Sequence, residues 1–296
     1  LTLPAGEART GFVIAASLAA VAQFRADGVV PLALHAVCAG LAYLFFVNLS
    51  KRKLGAPLIA AVLFGAHPFV ASTMVGDAGL RGLGGAALAL LAGVLLARTP
   101  LDRRLLWPAL VAYAASLPLA PGAAAVPFLV AAAAVAYHGL EPSKLLTKRL
   151  FPRFAVFLVP LAAYVAWTAR TGTPRGFGAA LDDVASAALP FSSPTHADAA
   201  AGTALVAALV LFGALRLRAT PKAAWPLLAA GLSLVAAAML VDAWGHGASA
   251  YAALAFLSLA AAEAIEEIYY RYGGAVAAPL MFLVWAAFVV RSHMLS

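Results

Sequence analysis

The chain has 296 residues, 64% hydrophobic and 11% charged, with a mean hydropathy of +0.95. An ordinary soluble domain is about half apolar and about a quarter charged, so this composition excludes one and points to a polytopic membrane protein. The net charge of +8 does not indicate nucleic-acid binding, because the basic residues sit in short loops between apolar runs and report topology instead. The single cysteine, Cys38, cannot form an intrachain disulfide and reads as a small packing residue in an apolar run.

In chain order, the sequence starts at Leu1-Thr2-Leu3-Pro4 without a methionine, which reads as a chain trimmed at, or continued beyond, this end. Segment 11–24 is apolar but short for a bilayer crossing and lacks the basic start of a signal peptide. It is expected to lie in the interface, within an outer-face stretch 1–28. Spans are then predicted at 29–48, 56–76, 82–97, 105–120, 123–138, 154–169, 201–215, 224–241, 249–268 and 274–290. The expected fold class is all-α: one integral membrane helical bundle over residues 1–296 with about ten transmembrane helices.

Fourteen of the 20 basic residues fall on one side of this arrangement. They are Lys51, Arg52, Lys53, Arg98, Arg103, Arg104, Lys144, Lys148, Arg149, Arg153, Arg216, Arg218, Lys222 and Arg271. Arg9, Arg25, Arg81, Arg170, Arg175 and Arg291 take the other. The bias predicts that the first set is cytoplasmic, with loop 170–200 and the C-terminus outside. Loop 170–200 is the only sizeable connection, and long loops often carry function.

Ionisable groups within a membrane are costly and mark function by default, but most of those here project from helix ends or loops. On the outer side, Asp182 and Asp183, with His196 and Asp198, form the densest set of metal-type ligands, two hard carboxylates suited to a divalent cation. Their spacing matches no strict motif, and a solvated loop is the plainer reading. His67-Pro68 ends a span, since proline carries no N–H and biases the residue before it away from helix. His67 there could meet an anionic headgroup, act as acid or base, or answer a carbonyl freed at the helix end. Asp77 and Arg81, four apart, suit either mutual pairing or an Arg81–phosphate contact. His246 lies in the outer turn "DAWGHGASAYAAL" beside Trp244 and Tyr251, which fit an aromatic belt. Glu141, Glu263, Glu266, Glu267 and Asp102 fall on the inner side. "GLRGLGGAALALLAG" places small residues at helical spacing, which permits close helix packing, and no phosphate-binding Gly-Lys-Ser element follows.

Residues 31–70 carry the features that resemble a known family. Leu34-His35 lies within an apolar helix, a basic turn follows, and a second helix ends in Phe64-Gly65-Ala66-His67-Pro68. This order resembles the GT-C superfamily of membrane glycosyltransferases, in the O-mannosyltransferase-like branch related to tetratricopeptide-containing transmembrane proteins. Residues 116–142 resemble that branch's Ser-Lys-Glu segment and the proline-bearing helix after it. The resemblance implies a polyprenyl-phosphate sugar donor on the outer face and a catalytic acid in an outer loop that would precede residue 1. It also implies polar positions that this chain fills differently. Ser72 stands where a glutamate is usual, Gly79-Leu80-Arg81-Gly82 replaces a Gly-Arg-acid element, and Ser116-Leu117-Pro118 lacks the lysine and glutamate. The chain therefore reads as a degenerate relative.

Two functions follow as expectations. The first is a non-catalytic structural or accessory subunit of a membrane complex, with membrane lipids and other membrane subunits as partners. The alternative is an active glycosyltransferase using a polyprenyl-phosphate-linked sugar. In that case Asp77 would be the acid/base or metal partner, His67, Arg81, Arg175 and His246 would hold donor or lipid phosphate, and Asp182 and Asp183 would hold a divalent metal. A transporter is disfavoured by the shortage of charges in mid-span.

Overall fold

The computed structural model describes residues 5–23, 28–50, 55–67, 76–99, 102–131, 151–171, 207, 208, 211 and 249–295. Among these residues the fold is all-α. The principal helices are α1 (Ala5–Ala22), α2 (Val29–Ser50), α3 (Ala56–Ala66), α4 (Gly76–Arg98), α5 (Leu106–Ser116), α6 (Phe151–Thr171), α7 (Ser249–Tyr272) and α8 (Gly274–Leu295). Short 3₁₀ turns at Arg103–Leu105 and Pro121–Ala125 precede α5 and a helical stretch at 126–131.

Two stretches, Val29–Leu49 in α2 and Leu80–Arg98 in α4, are long and apolar enough to cross a membrane. Ala56–Ala66, Phe154–Arg170 and Gly274–Val290 are apolar but shorter. Within the expected span 56–76, α3 ends at Ala66, where His67 turns extended at φ −65°, ψ 127°, as a residue before proline is driven to do, and residues 68–75 lie outside the described residues. The expected span 105–120 is an eleven-residue helix with turns at both ends. Spans 201–215 and 224–241, apart from residues 207, 208 and 211, lie outside the described residues.

Of segment 11–24, expected in the interface, residues 11–22 belong to α1, which packs on both α2 and α3. Its Ala15, Ala19 and Ala22 are fully buried. Small residues let these helices approach closely. Gly11 lies under the Tyr43 ring and Gly40 under Phe12. A β-carbon at Gly65 would stand 2.6 Å from Ala19 Cβ. The same device joins α2 to α4, where Gly93 sits against Phe45, and α4 to the end of α5, where Gly85 sits against Leu119 and Ala120. The main core gathers Phe45, Phe46, Phe64, Leu83, Tyr113 and Phe157 between α2, α3, α4, α5 and α6. A second cluster of Leu63, Ile265 and Ala277 with Met281 and Trp285 holds α7 and α8 on α3.

Polar contacts fix the helix ends. Arg98 Nε donates to Asn48 Oδ1 at 3.1 Å, so α2 and α4 finish at one level. Gly55, at φ +88°, starts α3 in a backbone conformation open to glycine. A β-carbon there would be 2.8 Å from Glu266 Oε1, which sets the carboxylate of α7 at the positive N-terminus of α3. Tyr113 Oη donates to Ala124 O at 3.3 Å and ties α5 to the 3₁₀ turn after it.

Replacing Gly65 with alanine is expected to cost about 1–3 kcal/mol through overpacking against α1. Gly84→Ala, where nothing lies within 4 Å of the added carbon, is expected to be neutral or slightly stabilising. Thermal unfolding of both variants in mild detergent checks this; equal midpoints would remove the close α1–α3 contact.

Candidate functional site

Three buried polar side chains, Gln23, His35 and His67, lie at the end of α3. An α-helix leaves its last carbonyls without intrahelical donors, and Pro68 supplies no N–H to extend the ladder. The His67 N–H answers Phe64 O at 3.3 Å. Gly65 O instead accepts from two side chains on neighbouring helices, His35 Nε2 of α2 at 2.9 Å and Gln23 Nε2 just after α1 at 3.3 Å. Gln23 Nε2 also reaches His67 O at 3.5 Å, a long contact. Because a carbonyl can only accept, His35 must carry its proton on Nε2 in this contact. His35 is fully buried and its ring lies 5.9 Å from that of Phe64.

Each element reaches this joint for a local reason. His35 falls two turns into α2, an otherwise apolar helix, on the side that meets α3. The alanine stripe of α1 lets its backbone approach Gly65 closely enough for Gln23 to reach across. Without a β-carbon, Gly65 leaves its own carbonyl open to both partners.

The residues singled out from the sequence fall into three groups. His67 is buried, with its ring set edge-on to Phe288 of α8 at 5.0 Å, and it faces the bundle interior. Arg81 is exposed on the second turn of α4, and Asp77 lies in that helix's first turn. Arg175, Asp182, Asp183 and His246 lie outside the described residues. The structure thus brings His35 and Gln23 to the backbone carbonyls at the end of α3 and turns the His67 ring onto Phe288. Among the described residues, no group of three or more His, Cys, Asp or Glu side chains could hold a metal ion.

Sequence reasoning did not single out Gln23. The available signal was an amide side chain at the end of an apolar segment, a group that needs a partner once buried. Glu263, expected at the inner end of its span, is buried in α7. Glu267 instead pairs with Arg271 at 2.8 Å on the exposed surface.

Gly65 O has two donors, so losing one leaves it satisfied. Gln23→Leu and His35→Leu are each expected to cost about 0.5–1.5 kcal/mol. The double variant should exceed their sum by about 1 kcal/mol or more, because the carbonyl is then orphaned. A double-mutant cycle on unfolding in detergent checks this, and strict additivity would show that the shared acceptor is not a joint. Comparison of the chain with protein-family models, with curated proteins and with solved structures returned no match.

Proposed function

We propose that the chain is a multi-pass membrane protein of about ten spans, built on a GT-C-like scaffold, that serves as a non-catalytic structural or accessory subunit of a membrane complex. The observation that carries this reading is how the buried polar groups are used. His35 and Gln23, the conspicuous polar side chains in the apolar helices, are directed onto a helix-end carbonyl and hold α1, α2 and α3 together. His67, which the resemblance would turn toward a donor phosphate, is packed against Phe288. Polar groups spent on packing suit a scaffold.

Membrane insertion is supported by the two long apolar helices and by the large apolar side chains left on the surface, such as Val111, Val159, Phe282 and Leu283. The charge bias assigns the basic loops to the cytoplasmic side, and the packing supports their lying at one end. Asn48 with Arg98, and Gly55 with Glu266, bring the helix ends that flank Lys51, Arg98, Arg103 and Arg271 to a common end of the bundle.

The alternative, a transferase using a polyprenyl-phosphate sugar, draws on one observation: Arg81 is exposed one turn from Asp77 at the start of α4. A guanidinium so placed suits a phosphate at the outer face, with Asp77 as acid, base or metal partner.

Purification of the native protein with its associated subunits separates the two readings. A scaffold subunit is expected to co-purify with other membrane proteins in fixed stoichiometry and to transfer no sugar from polyprenyl-phosphate donors. Transfer that is abolished in folded Asp77→Asn protein, with at least a hundredfold loss expected of a general acid or base, would establish the enzyme instead.

A further inference from the structure

Exposed aromatic and cationic side chains from distant parts of the chain lie at one end of the bundle. The Asn48–Arg98 contact and the approach of Glu266 to Gly55 define that end. Past Glu266, α7 continues for less than two turns and carries Tyr269, Tyr270, Arg271 and Tyr272 before Gly273, at φ +81°, reverses the chain into α8. The three tyrosines are 52%, 72% and 67% exposed. The 3₁₀ turn after α4 presents Arg103 and Arg104, both exposed, and Trp107 follows on the first turn of α5, 70% exposed.

Tyrosine and tryptophan pair an apolar ring with a polar tip, which favours the boundary between hydrocarbon and water. Exposed apolar side chains follow this belt directly: Val111 on α5, then Val276, Leu280, Phe282 and Leu283 on α8. The acids at the same end are engaged within the protein. Asp102 accepts from the Arg104 N–H at 2.9 Å, Glu267 pairs with Arg271, and Glu266 lies at the start of α3. Arg103 and Arg104 remain as exposed cations beside Trp107.

We propose that this end of the bundle seats in the headgroup layer of an anionic bilayer leaflet. Tyr269, Tyr270, Tyr272 and Trp107 lie at the hydrocarbon boundary, and Arg103 and Arg104 bind lipid phosphates. The proposal rests on the membrane reading given above and adds the leaflet, its charge and the residues that recognise it. Charge complementarity selects lipid as the occupant: a rim of cations above aromatic rings, continuous with an apolar wall, matches the order of layers in a leaflet.

The test uses the full chain in vesicles of mixed phosphatidylcholine and phosphatidylglycerol, gently extracted, with retained lipids counted by native mass spectrometry. Phosphatidylglycerol is expected to be retained in excess of its share of the vesicle. Arg103→Gln with Arg104→Gln should lower that excess by roughly fivefold per arginine, while the paired lysine variants keep most of it. Trp107 emission, taken as the difference between wild type and Trp107→Phe, is expected to be quenched by lipids brominated near the glycerol. Equal retention of both lipids, or retention unchanged in the glutamine variant, overturns the proposal, as does a protein subunit found covering Arg103 and Arg104. Alkaline carbonate extraction keeps the two readings apart. A chain that stays with the membrane and shows no lipid preference defeats only this proposal, and a chain released by carbonate defeats the membrane reading with it.

Discussion

The Gly65 carbonyl is the point on which the arrangement of α1, α2 and α3 depends. Ending α3 at Ala66, two residues ahead of Pro68, leaves carbonyls without intrahelical partners, in a buried region with little water to replace them. His35 and Gln23 answer that need from two other helices. The three helices are thereby held in one register, because sliding any of them by a turn would separate the donors from the acceptor. The same joint fixes where His67 goes: the chain leaves α3 in extended conformation and its ring lands on Phe288 of α8.

Small residues make this polar joint reachable. Between helices in lipid there is little hydrophobic driving force, so association relies on close van der Waals packing and on interhelical hydrogen bonds worth about 0.6 kcal/mol on average. Gly65 against Ala19, Gly40 against Phe12 and Gly93 against Phe45 bring backbones close enough for both. The apolar surface left outward on α5, α6 and α8 is then the part that a bilayer or neighbouring subunits would cover. In such a bundle the buried Gln23 and His35 are committed to its own helices.

Several elements were legible in the sequence. The termination of α3 at His67-Pro68 follows from proline chemistry, and α2 and α4 follow from length and hydropathy. The partners of His67 were not legible. A histidine before proline at a helix end could face a carbonyl, a headgroup or a ring, and the choice depends on which helix packs alongside. The packing of segment 11–24 was also hidden, because its run is too short to read as a span and the alanines that bury it look like any small residues until α3 is placed against them. The candidates Arg175, Asp182, Asp183 and His246 stand on sequence alone.

By itself, the sequence determined the helical class, the apolar runs, the break at Pro68 and the uneven spread of basic charge. These are properties of local chemistry and composition, carried by each segment wherever it sits. Only the tertiary structure decided that Gln23, His35 and Gly65 meet, that the His67 ring turns inward onto Phe288, and that Arg98 ties to Asn48 and Glu266 lies at the start of α3. Those relations join residues tens to more than a hundred positions apart. No periodicity encodes them, because they arise from which small residues allow two backbones to touch.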